Sequence, residues 1–198
     1  MHQPALTCDK LLWAYRQGLF PMAESRDGEI HWYYADPRAV LPLDGRFHVS
    51  RSLRKRVRQG TYRTTRDAAF DRVIRACAEP RPYARETWIS RRIIDLYCQL
   101  HRRGDAHSVE AWRGEQLVGG LYGLAIGGAF FGESMFSHAT DASKVCLVHL
   151  VEHLRARGYT LLDTQFANDH MRQFGLIEIP HEQYLQRLAL AVDQAVSW

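Results

Sequence analysis

The feature that most limits the fold is a change of hydrophobic period in the middle of the chain. Apolar residues recur at helical spacing before it, as they do over residues 70–77. From residue 107 to residue 136 this spacing is lost, and three strand-like runs follow one another, separated by turns at 113–115 and 127–128. Such a pattern is typical of an antiparallel meander. Because helical stretches precede and follow it, the sequence predicts an α+β fold.

The helical stretches have recognisable ends. Ser50 and Ser90 are suitable N-caps, and Gly60 and Gly104 are suitable stops for the helices that follow them. The C-terminal part predicts, in order, a helix over 142–157, a strand over 159–165, a short helix over 168–175, a strand over 176–179, and a terminal helix from 181 with Leu185, Leu188 and Val192 on its apolar face.

The first 36 residues differ in character from the rest. A short helix that ends at Gly18 precedes an aromatic, turn-rich stretch between Phe20 and Pro37. Since no flexible linker follows, this segment should pack directly on the remainder. We expect a small N-terminal α/β module over residues 1–36 and a catalytic domain over residues 37–198.

Composition excludes several classes of protein. Hydrophobic residues make up 46% and charged residues 24% of the 198 residues, which excludes disorder. The four cysteines form no C-x-x-C pair, which argues against a disulfide framework or a thiolate zinc site. The longest uncharged run, 117–132, is too short and too rich in glycine for a membrane span, and the first residues lack the apolar core of a secretion signal. We expect a cytoplasmic protein with no membrane partner.

One metal-binding pattern is present in the predicted helix over 142–157. His149, Glu152 and His153 match the H-x-x-E-H pattern of inverted zinc metallopeptidases. The apolar stripe of the same helix points to the core and directs these three side chains toward solvent. We therefore interpret the match as a coincidence and expect neither a metal nor a cofactor.

Positive charge is concentrated between residues 45 and 66. This stretch holds eight Lys or Arg residues and no acidic residue. Such a run favours a polyanionic partner, and a solvated helix face is the alternative. Arg54, Lys55 and Arg58 share one side of the predicted helix and are the strongest candidates to bind nucleic acid.

Three polar residues interrupt apolar strands and could carry chemistry. Glu133 lies in the glycine-rich meander, where burial would be costly without a partner or a ligand. Asp163 and Gln165 share one face of a strand because their positions differ by two. A polar strand end that caps a helix is an equally good interpretation of that pair.

Longer motifs occur in a family-specific order. They are Tyr15–Pro21, Asp36–Leu41, His48–Ser52, Thr87–Ile89, His107–Glu110, Leu117–Gly123, Gly132–Ser137 and Ala142–Lys144. Together they closely resemble the leucyl/phenylalanyl-tRNA–protein transferase family, the bacterial enzymes of the N-degron pathway, over almost the whole chain from Leu11.

The resemblance implies a fold and an activity. The implied fold is a C-terminal acetyltransferase-like (GNAT-like) domain, with a mixed, largely antiparallel sheet flanked by helices, plus a small N-terminal domain. The implied reaction transfers Leu or Phe, and Met more weakly, from aminoacyl-tRNA to the α-amino group of proteins that begin with Arg or Lys. The product is then degraded by an ATP-dependent protease.

The resemblance also assigns roles to single positions. Asp163 and Gln165 fall on the catalytic pair, and Glu133 and Asn168 on further site residues. The donor side-chain pocket corresponds to Phe130, Leu121, Leu147, Leu150, Leu154 and Leu162, and the aromatic positions of the terminal-adenosine site to Tyr15, Trp88 and Tyr97. Two departures are Met22, where many members carry Trp, and Tyr33–Ala35, which replaces a Trp-Ser-Pro run.

The chemistry required is aminolysis of an activated ester, which needs no enzyme nucleophile. We expect the Gln165 carbonyl oxygen to accept a hydrogen bond from the attacking amine, and Asp163 to orient the Gln165 amide. A non-catalytic RNA-binding module is one rival interpretation. An acyl-CoA-dependent N-acyltransferase is another, although the predicted helix start at Asp141–Lys144 lacks the glycine-rich turn that holds a pyrophosphate.

Overall fold

The computed structural model describes residues 6–80 and 87–198, so residues 1–5 of the expected N-terminal module lie outside the described part. The helices are α1 (Cys8–Arg16), α2 (Arg51–Arg58), α3 (Phe70–Cys77), α4 (Arg91–Arg103), α5 (Ala142–Arg157), α6 (Asp169–Arg172) and α7 (His181–Val192). The strands are β1 (Phe20–Ala23), β2 (Ile30–Tyr33), β3 (Arg38–Leu41), β4 (Arg63–Arg66), β5 (Ala106–Arg113), β6 (Gln116–Ile126), β7 (Ala129–Ser137), β8 (Leu161–Gln165) and β9 (Ile177–Ile179).

Seven of these strands form one mixed sheet in the order β4-β5-β6-β7-β8-β3-β9. β7 and β8 are parallel and are connected through α5, and the other neighbours are antiparallel. β1 and β2 form a separate antiparallel hairpin. The predicted α+β architecture, with a mixed and largely antiparallel sheet flanked by helices, is therefore confirmed.

Helices cover both faces of the sheet and divide the core in two. α1, α3, α4 and α7 contribute to one cluster, and α2 and α5 contribute to the other. The start of α5 lies directly on β6, since a Cβ on Gly119 would come within 2.6 Å of the Ala142 Cβ. Glycine at 119 thus permits the close contact of strand and helix.

The helix ends follow the capping residues of the sequence. The Ser50 Oγ accepts a hydrogen bond from the Leu53 amide, and the Ser90 Oγ accepts one from the Ile93 amide, each at 3.3 Å. Gly104 ends α4 in the left-handed conformation, at φ 81°. These contacts satisfy amides and carbonyls that a helix end leaves without partners, and the predicted ends of α2 and α4 are confirmed.

Other local predictions need correction. The strands β1 to β4 are not predicted, because each has four residues and shows too little of a two-residue period. The prediction that Leu185 lies on the apolar face of α7 is wrong, since its side chain is 36% exposed while its neighbour Tyr184 is buried. Among the helices of the described residues, none has the length and apolar character needed to cross a bilayer.

Candidate active site

The candidate site lies where β7 and β8 separate. Their parallel pairing ends at Phe131 and Asp163. Beyond this point a cavity of about 190 Å³ opens between the strands, lined on one side by residues 132–135 and on the other by Thr164 and Gln165. Splayed parallel strands leave backbone groups and side chains of both strands facing one space. The fold thus places Glu133 and Gln165 at the same cavity.

Glu133 is the extra residue of a β-bulge. Gly123 pairs with Gly132 and Tyr122 pairs with Ser134, so Glu133 has no opposite residue on β6. A bulge redirects a side chain and bends its strand. Here the bulge coincides with a contact to another element, since the Glu133 carboxylate accepts a 2.6 Å hydrogen bond from Tyr15 of α1.

The environment of Glu133 favours its neutral form. Burial raises the pKa of the carboxyl group to about 8, although the hydrogen bond from the Tyr15 hydroxyl opposes this shift. The hydroxyls of Tyr15 and Tyr97 lie 2.6 Å apart, so the two phenols and the carboxyl group form one chain of hydrogen bonds. Glu133 can therefore change its protonation state near neutral pH, as a functional acid or base must.

Asp163 lies beneath the cavity and is completely buried. Its two oxygens accept bidentate hydrogen bonds from Arg38, at 2.9 Å from Nε and 2.6 Å from Nη2. The Tyr184 hydroxyl donates a third bond to Asp163 at 2.9 Å. This geometry is the strong, planar form of an arginine–carboxylate pair.

Arg38 is a central residue of the site that sequence reasoning missed. Its guanidinium lies between two rings, 4.7 Å from the centroid of Phe20 and 4.5 Å from that of Tyr184. It also donates a 3.0 Å hydrogen bond to the Gly18 carbonyl. Although burial alone would lower it, the pKa of Arg38 is raised because the Asp163 carboxylate stabilises the cation. In the sequence, Arg38 stands at the start of an apolar run inside the Asp36–Leu41 motif, but neither feature assigns it a role.

Gln165 has a backbone conformation that is uncommon for a residue with a side chain. Its φ is 56°, in the left-handed region, and its main-chain amide donates a 2.9 Å hydrogen bond to Asp163. The residue is 8% exposed and lines the cavity, and its Nε2 has no hydrogen-bond partner among the described residues. The contact with Asp163 is thus through the main chain, where the sequence analysis expects one through the side-chain amide. Strained, unsatisfied polar groups cluster at functional sites.

The expected apolar pocket is partly assembled at this cavity. Leu121, Leu147, Leu150 and Leu162 line it, together with Met135 and Met171. Phe130 and Leu154 are fully buried in the same core cluster but are not among the lining residues.

The other expected site residues occupy several places. Asn168 lines the cavity, and its Oδ1 also accepts a hydrogen bond from the Met171 amide as the N-cap of α6. Tyr15 and Tyr97 are fully buried around Glu133. Trp88 and Met22 are half-buried and pack against the α1 side of the core.

A second and larger cleft adjoins the first. It has a volume of about 720 Å³ and shares Met135, Asn168 and Met171 with the smaller cavity. Its further lining includes Glu79 and Ser137. The two spaces together are large enough for more than one amino acid side chain.

Five of the eight basic residues between 45 and 66 lie on α2, which packs against α5. Arg54, Lys55 and Arg58 are exposed. Arg56 instead pairs with Asp141 at 3.2 Å at the start of α5. The cationic side of α2 therefore faces solvent on the α5 side of the sheet.

The histidine motif on α5 does not form a metal centre. His149 pairs with Glu152 at 3.5 Å, and the Glu152 side chain is largely exposed. Across residues 6–80 and 87–198, no group of three His, Cys, Asp or Glu side chains is arranged to hold a metal ion.

Sequence comparison decides the family. The sequence-family model described as leucyl/phenylalanyl-tRNA protein transferase matches residues 40–189. The sequence-family model of the N-terminal domain of that transferase matches residues 5–36. The chain belongs to the leucyl/phenylalanyl-tRNA–protein transferase family. The resemblance shown by the sequence motifs is thereby confirmed. The chain is an aminoacyltransferase of the tRNA–protein transferase class.

Two curated relatives agree with this assignment. A leucyl/phenylalanyl-tRNA–protein transferase of Hyphomonas neptunium is 55% identical over 186 residues, which cover 93% of this chain and 71% of that protein. The enzyme of the same name from Chlorobaculum parvum is 52% identical over 188 residues, covering 95% and 96% of the two chains. Among solved structures, L-PGS from Bacillus licheniformis matches with a TM-score of 0.39 at 12% identity, over 77% of this chain and 56% of that one.

Proposed function

We propose that this transferase moves Leu or Phe, and Met more weakly, from aminoacyl-tRNA to the α-amino group of proteins that begin with Arg or Lys, which marks them for degradation in the cytoplasm. The observation that carries the proposal is the cavity between β7 and β8. It combines an apolar wall with Gln165 and Glu133 at one small space.

The donor side chain would occupy the leucine-lined part of the cavity. Leu121, Leu147, Leu150 and Leu162 offer apolar contacts and no charge. Such a wall favours unbranched or γ-branched apolar side chains and separates similar ones weakly, since one methylene changes selectivity by roughly 10- to 200-fold. Overlapping use of Leu, Phe and Met is the selectivity expected of it.

The acceptor would be recognised through charge. Glu133, with a pKa of about 8, becomes an anion more readily when a cationic group lies beside it. An N-terminal Arg or Lys supplies that cation. An acceptor without a basic side chain would leave Glu133 neutral and gain much less from the contact.

The reaction itself needs few protein groups. The neutral acceptor nitrogen forms a bond to the ester carbonyl carbon and loses one proton. The bond from that carbon to the ribose oxygen breaks, and the ribose oxygen gains one proton, so the step is balanced without a further reactant. An α-amino group has an ordinary pKa of about 8, so part of it is neutral and nucleophilic near pH 7. The Gln165 carbonyl oxygen is our candidate to accept a hydrogen bond from that amine and to hold it in line with the ester.

Binding of the donor would extend beyond the cavity. We assign Arg54, Lys55 and Arg58 to the tRNA backbone, because they are exposed on α2 and phosphate contacts need only positive charge. Trp88, Tyr15 and Tyr97 are assigned to the terminal adenosine, and Met22 packs against the same core cluster. We further assign residues 37–198 an acetyltransferase-like fold, supported by the order of meander, crossover helix and returning strand.

Labelled Leu-tRNA offered with an Arg-starting peptide tests the proposal. We expect label in the peptide, much less label in an Ala-starting peptide of otherwise equal sequence, and none from labelled acetyl-CoA. Binding of the tRNA without transfer would instead favour the RNA-binding module. Transfer from acetyl-CoA would favour the acyl-CoA-dependent enzyme.

A further inference from the structure

The carboxylate of Asp163 has no capacity left for a substrate. It accepts two hydrogen bonds from Arg38, one from Tyr184 and one from the Gln165 main chain. A carboxylate offers about four acceptor positions, so all of them are in use. The residue is also completely buried. Its effect on a reaction in the cavity must therefore pass through a neighbour.

Gln165 is the neighbour that reaches the cavity. Its left-handed backbone, at φ 56°, is unfavourable for a residue with a Cβ and needs support from its surroundings. The hydrogen bond that its main-chain amide donates to Asp163 provides that support. The same backbone conformation sets the direction in which the Gln165 side chain leaves the strand.

Arg38 and Tyr184 hold Asp163 from opposite ends of the chain. Arg38 begins β3, and its guanidinium also binds the Gly18 carbonyl of the N-terminal segment. Tyr184 lies on α7 and places its ring over the same guanidinium. A buried ion pair is expensive, and well-packed apolar residues of similar volume are often as stable. Its benefit here is the fixed position of one carboxylate.

We propose that Arg38 and Tyr184 are positioning residues of the transfer reaction. They hold the Asp163 carboxylate, which fixes the main chain of Gln165 and thereby directs the side-chain amide of Gln165 into the cavity. This inference rests on the proposed transfer function. It assigns Arg38, Tyr184 and Asp163 an action through Gln165 and no contact with either substrate.

A double-mutant cycle separates positioning from general stability. Tyr184→Phe keeps the ring over Arg38 and removes one hydrogen bond to Asp163. We expect it to lower the single-turnover transfer rate about tenfold, the range of one bond to a charged group, with an unchanged KM for the donor. In a Gln165→Ala background the same substitution should have no further effect, because the residue through which it acts is already gone.

Tyr159→Phe serves as the matched control, since it removes the hydroxyl of another buried tyrosine, at the connection between α5 and β8. It should leave the rate unchanged in both backgrounds. An equal fall for Tyr184→Phe with and without Gln165 would overturn the inference, as would a fall shared with the control.

Hydrogen exchange gives a readout that does not depend on transfer. The main-chain amide of Gln165 should exchange at least tenfold faster in Tyr184→Phe than in the unsubstituted protein, while main-chain amides in the middle of α5 keep their rates. An unchanged Gln165 amide would contradict the inference. If the Gln165 main-chain amide exchanges faster in Tyr184→Phe but the unsubstituted protein transfers no leucine, the proposed function fails and the support of Gln165 by Tyr184 stands.

Discussion

Tyr15 of α1 donates a 2.6 Å hydrogen bond to Glu133 in the bulge of β7, and this contact joins the first helix to the wall of the cavity. Tyr97 of α4 extends it, because its hydroxyl lies 2.6 Å from that of Tyr15. Two helices that are distant in sequence thus determine where one carboxyl group lies. The same carboxyl group has a pKa of about 8, since burial raises the pKa more than the hydrogen bond from Tyr15 lowers it.

This shift predicts how stability depends on pH. The pKa of Glu133 rises from an ordinary 4.5 to about 8 on folding, so the folded state holds a proton that the unfolded state loses first. The contribution to stability is complete below pH 4.5, decreases as pH rises toward 8, and then stays constant. Glu133→Gln cannot lose a proton. We expect urea unfolding to show a smaller decrease in stability between pH 5 and pH 8 for this variant than for the unsubstituted protein.

A second glutamate provides the control for that measurement. Glu115 lies exposed in the turn between β5 and β6, so Glu115→Gln should reproduce the pH profile of the unsubstituted protein. Parallel profiles for the unsubstituted protein and Glu133→Gln would show that Glu133 has an ordinary pKa.

The two residues of the expected catalytic pair should respond differently to substitution. Asp163→Asn leaves the Arg38 cation buried without a charged partner, and loss of one member of such a pair costs about 3 kcal/mol or more. Gln165→Ala removes a side-chain amide whose Nε2 has no hydrogen-bond partner in residues 6–80 and 87–198, so its effect on stability should stay below about 1 kcal/mol. Both should lower transfer by about 10²-fold.

Urea unfolding and single-turnover transfer together check this difference. Asp44→Asn weakens an exposed ion pair with Arg46, so it should change stability little and leave transfer unchanged. Equal stability of the Asp163 and Gln165 variants would contradict the buried ion pair, and near-normal transfer by the Gln165 variant would exclude it from the reaction.

The sequence predicts the parts of this fold that have a long period or a specific end. Helix α5 and the meander β5–β7 show enough of their repeat to be placed within about one residue. The four-residue strand β3 does not, although it brings Arg38 to the site. Its pairing with β8 is a contact between residues about 125 positions apart, which no local pattern contains.

The site shows the same division. Asp163, Gln165 and Glu133 are recognisable because polar residues interrupt apolar strands. Arg38 and Tyr184 are not, because their importance comes from the burial of one guanidinium between two rings, which depends on packing. The spacing of Asp163 and Gln165 predicts a shared strand face, but it cannot predict that the left-handed turn at Gln165 brings its main-chain amide to the Asp163 carboxylate.

Donor selectivity should follow the size of the cavity. Leu150→Phe adds volume to a wall that surrounds about 190 Å³. We expect transfer of Phe to fall at least tenfold more than transfer of Leu, because the larger side chain loses room first. The measurement compares kcat/KM for the two charged tRNAs. Leu190→Phe, at an exposed position of α7, should leave the ratio unchanged, and an unchanged ratio for Leu150→Phe would place the donor side chain elsewhere.

The cationic side of α2 should bind the tRNA backbone without reading its bases. Replacing Arg54, Lys55 and Arg58 with Ala should weaken tRNA binding and reduce the log–log salt dependence by about 0.7–0.9 for each phosphate that the variant no longer binds. Replacing Arg92, Arg102 and Arg187, which are exposed on α4 and α7, makes the same change of net charge and should affect binding much less. Transfer from an aminoacyl-adenosine, which has no acceptor stem, should be nearly unchanged in both variants. An equal decrease with tRNA and with aminoacyl-adenosine would mean that α2 supports the active site, because the minimal donor has no backbone for these side chains to bind.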